Sequence, residues 1–247
     1  MSDDCHFTEH IKKVKTSARN FSSWILRTFN TQAQLPMLTL FKSLTLPILE
    51  YCSVLWCPLS VGEIQNLERI QWSFVRKING TRNKDYWECL KELKLYSLER
   101  RRERYRIIYA WKILEKLGPN INDGITSKTH PRLGRTCIIQ TQKKTKFSKI
   151  RDSSFNVHAL KLFNALPQKL RDMTNVPLLQ FKKALDLHLS KIPDEPQLPN
   201  YTIFRRAKTN SIIDMTKLIS NSNTESCANY LPVRDTTARR DCNNTVA

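Results

Sequence analysis

The sequence predicts a mainly α protein: a helical bundle, a long irregular basic connection and a disordered C-terminal tail. Apolar residues recur at helical spacings of three and four through most of the first 192 residues. Helix-start and helix-stop residues bracket those stretches. Periodicity then lapses between 119 and 150, and again after Pro193, where large apolar side chains become sparse. At 247 residues the chain has ample material for a core. The expected organisation is a helical, thumb-like unit at 1–118, a basic linker at 119–150, a second helical segment at 151–192 and a tail at 193–247.

The first element is EHIKKVKTSARNFSSWILRTF, with Ile11, Val14, Ala18, Phe21 and Ile25 as its buried stripe and Lys12, Lys13, Lys15 and Arg19 off it. A second helix is expected from about Met37, kinked at Pro47 and continuing to Trp56. Ser60-Val61-Gly62-Glu63 is a capping box that opens a third helix, bearing Ile64, Leu67, Phe74, Val75 and Ile78 and ended by Asn79-Gly80. Asp85-x-x-Glu88 starts a short helix with Tyr86, Leu90 and Leu93.

Ser97 then caps SLERRRERYRIIYAWKILEKLG, which Gly118-Pro119 is expected to end. Polarity in this stretch divides along the axis. Ile107 to Leu117 are apolar on almost every side, whereas Arg100, Arg101, Arg102, Arg104 and Arg106 crowd the first turns. Cations at a helix N-terminus oppose its dipole. The sequence therefore predicts a helix buried at its C-terminal half, with its arginine-rich head held in solvent. Glu99 with Arg102 and Glu103 with Arg106 are spaced to pair at i,i+3.

Residues 119–150 read as an irregular connection with a short strand at TCIIQ and a basic run exposing Lys143, Lys144, Lys146 and Lys149, followed by Arg151. Helices resume at SSFNVHALKLFNALP and at VPLLQFKKALDLHLSKI. In the latter Pro177 takes the first helical position, and Leu178, Phe181, Leu185 and Ile192 face the core.

The net charge is +19, from 41 Lys+Arg against 22 Asp+Glu. Such an excess points to a polyanionic partner. Basic clusters alternating with Tyr96, Tyr105 and Phe147 suit a single strand, because cations hold phosphates and rings stack on bases. The seven cysteines are odd in number with no C-x-x-C pair, which reads as a reduced intracellular chain, nuclear or cytoplasmic and not secreted. Neither cysteines nor histidines show metal-ligand spacing, so no metal or cofactor is expected. The longest apolar stretch is broken by Lys42, Pro47 and Glu50 and reads as buried helices, not a membrane span. No phosphate-cradling glycine loop, zinc-protease motif or nucleophile elbow is present, and Asp3-Asp4 lacks a strand to place it. His158 reads as a core or edge histidine.

Four blocks in order carry a likeness: FTEHIKKVKTSARNFSSWILRTF, LTLFKSLTLPILEYCSVLW, IQNLERIQWSFVRKINGT and YWECLKELKLYSLERRRERYRIIYAWKIL. With FSKIRDSSFNVHALKLFNALPQKLRD, they resemble the region after the catalytic domain in reverse transcriptases of jockey-type non-LTR retrotransposons, over about residues 6–192. Trp72 and Ser73 stand where that family shows two basic residues. The resemblance places the family's catalytic F/Y-x-D-D motif and its endonuclease upstream of Met1, which would make Met1 an internal methionine that became a start. It implies a chain that is catalytically silent alone, a partner in RNA or an RNA–DNA hybrid, and possible docking on the missing polymerase core. Two other readings stand beside it. One is a helical protein-interaction module; the other is a functionless remnant that exposes the Ile11/Val14/Phe21/Ile25 face.

Overall fold

The computed structural model describes residues 7–58, 60–118, 125–139, 148–196, 198 and 209–219. Helix α1 (Thr8–Thr28) lies against the stretch Phe41–Thr45 that continues α2 (Gln34–Leu40), and against α3 (Leu46–Glu50) and α4 (Val61–Val75), with α5 (Tyr86–Glu92) completing the first group. Helix α6 (Leu98–Leu114) follows, then a hairpin of β1 (Ser127–His130) and β2 (Gly134–Cys137). Helices α7 (Ser148–Ser153), α8 (Phe155–Asn164), α9 (Gln168–Arg171) and α10 (Leu178–Leu189) complete the second group. The mainly α expectation holds.

Local signals placed most elements. Ser60 Oγ accepts from Glu63 N at 3.1 Å while Glu63 Oε2 accepts from Ser60 N at 3.4 Å, the reciprocal cap read in the sequence. Asp85 and Glu88 repeat it at the head of α5. After α4 the chain turns at Gly80, whose φ of +89° suits a residue without Cβ.

Several expectations are corrected. The second helix stops at Glu50 and does not reach Trp56. Pro47 has no N–H to give, and the turn before it widens into a π-helical stretch at Phe41–Thr45, where Leu46 N reaches back to Phe41 O. Phe21 is not in the buried stripe of α1; it is 45% exposed, and Ser22 takes the core position near Thr45. Ile11, Val14, Ala18 and Ile25 are buried as expected, so that face is not open. Helix α6 ends at a left-handed Lys116 (φ +55°), with Lys116 N on Ile113 O and Leu117 N on Lys112 O, ahead of Gly118. The strand expected at TCIIQ covers only its first two residues and belongs to an antiparallel hairpin with Ser127–His130. There Gly134 has φ +67°, and a Cβ would meet Asp172 and Gln168 at 2.6 Å, so only glycine fits.

Two apolar cores result. The first gathers α1 to α5, with Phe41 and Phe74 rings 4.6 Å apart. The second gathers the C-terminal half of α6, the hairpin and α8 to α10. Its centre is Trp111, stacked on Phe181 at 4.5 Å and 8°, with its indole N–H donated to Met173 O at 2.8 Å. Leu98 belongs to the first core and Ile107 to the second, so one helix crosses from one to the other. A boundary at 118 does not separate the cores. Within the segment from Pro193, Leu198 is buried in the first core and a helix at 212–219 buries Ile212 and Met215 in the second; residues 197, 199–208 and 220–247 lie outside the described residues.

Replacing Trp111 by alanine should lower unfolding free energy by roughly 3–5 kcal/mol in a denaturant titration. A loss below about 1 kcal/mol would mean that the second core does not rest on this ring pair.

Candidate functional site

The head of α6 is built from acids as well as bases. Ser97 Oγ accepts from Arg100 N at 3.1 Å and donates to Asp194 Oδ1 at 2.7 Å, while Ser97 N donates to Asp194 Oδ2 at 2.7 Å. Leu98 N donates to Glu68 Oε2 at 2.9 Å, and Tyr86 Oη donates to Glu68 Oε1 at 2.6 Å. Asp194 and Glu68 therefore accept from the first N–H groups of the helix, and the Asp194 carboxylate complements the dipole that the arginines oppose.

Of the arginines expected in solvent, Arg100, Arg102 and Arg106 are buried and Arg101 and Arg104 half-buried, which corrects that expectation. Arg100, 0% exposed, donates to Pro193 O at 2.8 Å and more weakly to Ile192 O and Asn210 O. Arg101 pairs with Glu50, whose other oxygen accepts from Tyr105 Oη at 3.1 Å. Arg102, 5% exposed, lies over the Trp56 ring at 5.2 Å. Arg104 makes a two-pronged pair with Asp186, at 2.5 and 2.8 Å. Arg106, 1% exposed, donates to Ser153 O at 3.1 Å and to His158 Nδ1 at 2.9 Å.

A guanidinium leaves water at low cost only where acceptors replace it, and backbone carbonyls, His158 and distant carboxylates do so for Arg100, Arg101, Arg104 and Arg106, whereas Arg102 rests on the Trp56 ring. The i,i+3 pairs read in the sequence do not form hydrogen bonds. Glu103 instead accepts from Ser211 Oγ at 2.6 Å and Ile212 N at 2.8 Å, which fastens the 209–219 segment to α6. This layer joins the two cores, and Arg100, Arg102 and Arg106 are buried in it.

Other basic residues stand outside. On α1, Lys12, Lys13 and Arg19 are exposed and Lys15 is half-buried; Lys12 Nζ sits 2.6 Å from Glu9. Phe21 and Trp24, each 45% exposed, continue the same helix, and Trp24 meets Phe29 edge-on at 6.0 Å. Lys143, Lys144 and Lys146 lie outside the described residues, as does the side chain of Lys149 on α7. Arg151 on α7 lies 3.8 Å from Asp152. The structure thus gathers the α1 cations on one helix and does not join them to the arginines of α6.

A cleft of about 490 Å³ opens beside the charge layer, between the approach to α4, the head of α6 and helices α7 and α8. Glu99, Arg102, Glu103, Arg106 and His158 line it. Sequence reading missed it, although Glu99, Arg102 and Arg106 fall on one helical face and that phase was a signal. Burial and the neighbouring Glu103 charge push the Glu99 carboxyl up to about 8. Burial, with Arg106 next, pushes His158 down to about 4, consistent with a neutral ring that accepts from Arg106. Among the described residues no histidine, cysteine and carboxylate cluster is arranged for a metal, and no helix is long and apolar enough to cross a membrane. No protein-family model, curated protein or solved structure matches this chain.

Burial raises the Glu68 carboxyl from its ordinary 4.5 to about 7. The folded chain then holds a proton there that the unfolded chain has released, so this contribution is full below pH 4.5 and lost as pH rises to 7. His158 acts in the opposite sense below its unfolded range, so the comparison is made with a variant. Relative to Glu68→Gln, the native protein should lose up to about 3 kcal/mol of unfolding free energy between pH 4.5 and 7. A difference that stays flat with pH would contradict the buried carboxyl.

Proposed function

We propose that the chain binds RNA or an RNA–DNA hybrid without base specificity, through cations on its outer helical faces. In this reading it is a catalytically silent relative of the post-catalytic region of non-LTR retrotransposon reverse transcriptases. The observation that carries it is the distribution of charge. Of the five arginines at the head of α6 only Arg101 and Arg104 meet carboxylates, Glu50 and Asp186, so this group accounts for about three charges of the +19 and other residues carry most of the excess. On α1 Lys13 and Trp24 share one exposed face with Phe21 next to it, while Lys12 and Arg19 stand on the other flank of the solvent side. Lys12 to Trp24 spans about 18 Å of helix, a length that tracks a few nucleotides. Cations for phosphates next to rings for bases is the arrangement single strands need. The described cysteines are all free, which fits a nuclear or cytoplasmic setting.

A second reading, docking on a protein such as a related polymerase core, draws on the exposed Trp24–Phe29 pair. A pull-down with nuclease separates the two, since only a protein partner survives it. The remnant reading needed the stripe of α1 to be open, and it is buried except at Phe21.

Filter binding of a single-stranded RNA should weaken steeply with salt. The triple variant Lys12→Gln, Lys13→Gln and Arg19→Gln should bind more weakly and reduce the log–log salt slope by about 2, at roughly 0.7 per phosphate contact. An unchanged affinity and slope would overturn the proposal.

A further inference from the structure

Arg102 has polar contacts left over. Its guanidinium rests on Trp56, which is itself buried and tied by its indole N–H to Tyr51 O at 2.8 Å. Nε and Nη2, the two nitrogens that share one edge of the fork, have no hydrogen-bond partner among the described residues. Nε of Arg106 has none either, although its Nη1 donates to Ser153 O and His158 Nδ1 and its Nη2 to Val54 O at 3.4 Å. Both side chains line the 490 Å³ cleft. Elsewhere in this protein the same edge of Arg104 takes both oxygens of Asp186. Arg100 Nε and His188 Nε2 are also buried without partners, but of these side chains only Arg102 and Arg106 line the cleft.

The carboxyls in the cleft are poorly suited to fill that edge. Both oxygens of Glu103 accept from Ser211 and Ile212. Glu99, raised to about 8, is mainly an uncharged acid at neutral pH and offers an O–H of its own. Asp152 stands exposed, 3.5 Å from Lys161 and 3.8 Å from Arg151. His158 is neutral in the same range. Cys57, Pro58 and Ile64 form the apolar part of the wall. A volume near 490 Å³ lies within the span of small-molecule sites, and a few convergent polar groups in a mainly apolar wall are what such sites share.

We propose that this cleft binds a small oxyanion, a carboxylate or phosphate group on a compact and partly apolar body, with two of its oxygens on Nε–H and Nη2–H of Arg102 and a further contact to Nε–H of Arg106. The site is separate from the strand-binding face on α1 and does not rest on that reading. Arg102 supplies a planar fork that lysine cannot imitate. Arg106 adds positive charge, and Ile64 meets the apolar body.

Calorimetric titration of the full chain with inorganic phosphate, phenyl phosphate and benzoate, in about 150 mM salt, tests this and separates the two headgroups. One-site binding is expected, with phenyl phosphate tighter than phosphate if the headgroup is phosphoryl, and benzoate tightest if it is carboxyl. Arg102→Lys, which keeps the charge, should weaken the preferred probe by about tenfold or more. Ile64→Trp, which fills the cleft without touching the fork, should abolish phenyl phosphate and benzoate binding; it decides the matter if the first variant does not fold. No binding of any probe up to about 10 mM would overturn the proposal. So would binding that ignores both substitutions, or an experimental structure with the Glu99 carboxylate seated on the Arg102 edge.

Discussion

Guanidinium groups enter a protein interior at low cost only where acceptors replace water, and that constraint organises this chain around the first turns of α6. Arg100 draws in the carbonyls of Ile192, Pro193 and Asn210; Arg101 draws Glu50 from the end of α3; Arg104 draws Asp186 from α10. Each partner lies far away in sequence, so satisfying the head of one helix fixes the relation of nearly every other element to it. Asp194 and Glu68 finish the arrangement by accepting from the helix's own opening N–H groups. The polar layer stands between two apolar cores, and α6 runs through all three.

The functional reading follows from what that layer removes from the surface. Of the five arginines that look like a strand-gripping cluster, Arg100, Arg102 and Arg106 are buried in the joint, and most of the basic excess is carried by other residues. On α1 the cations are followed by exposed rings, which is a more suitable place for a nucleic acid than the buried end of α6. The proposed likeness to a reverse transcriptase concerns the order of sequence blocks, and in one of those blocks α6 takes part in packing. The strongly basic R-R-x-R pattern is compatible with packing as well as with phosphates.

Features encoded locally were legible. The caps at Ser60, Asp85 and Ser97 depend on residues three positions apart, and each is formed. The apolar stripes of α4 and α10 and most of that of α1 were read at the right phase. The slip from Phe21 to Ser22 is instructive: spacings of 3, 4, 3, 4 and of 3, 4, 4, 3 both fit a helix, and the choice was made by Thr45 and the π-helical turn packed behind it. What was not legible depended on distant charges. Only Glu99 and Glu103 are close in sequence to the arginines, and neither is their hydrogen-bonded partner. Arginines are mostly surface residues, and that general rule misplaced these because their acceptors lie on α3, beyond α10 and in the 209–219 segment. The cleft was missed for the same reason, since Ile64 and His158 reach it only through the fold.

The burial of the α6 head is tested most directly by arginine-selective modification of the native chain with phenylglyoxal, mapped by mass spectrometry. Arg100, Arg102 and Arg106 should remain unmodified while exposed Arg19, Arg27 and Arg82 react, and denaturant should abolish the distinction. Native-state modification of Arg100, Arg102 and Arg106 at the rate of Arg19 would show that the helix head stands in water, and the two cores would then need another joint.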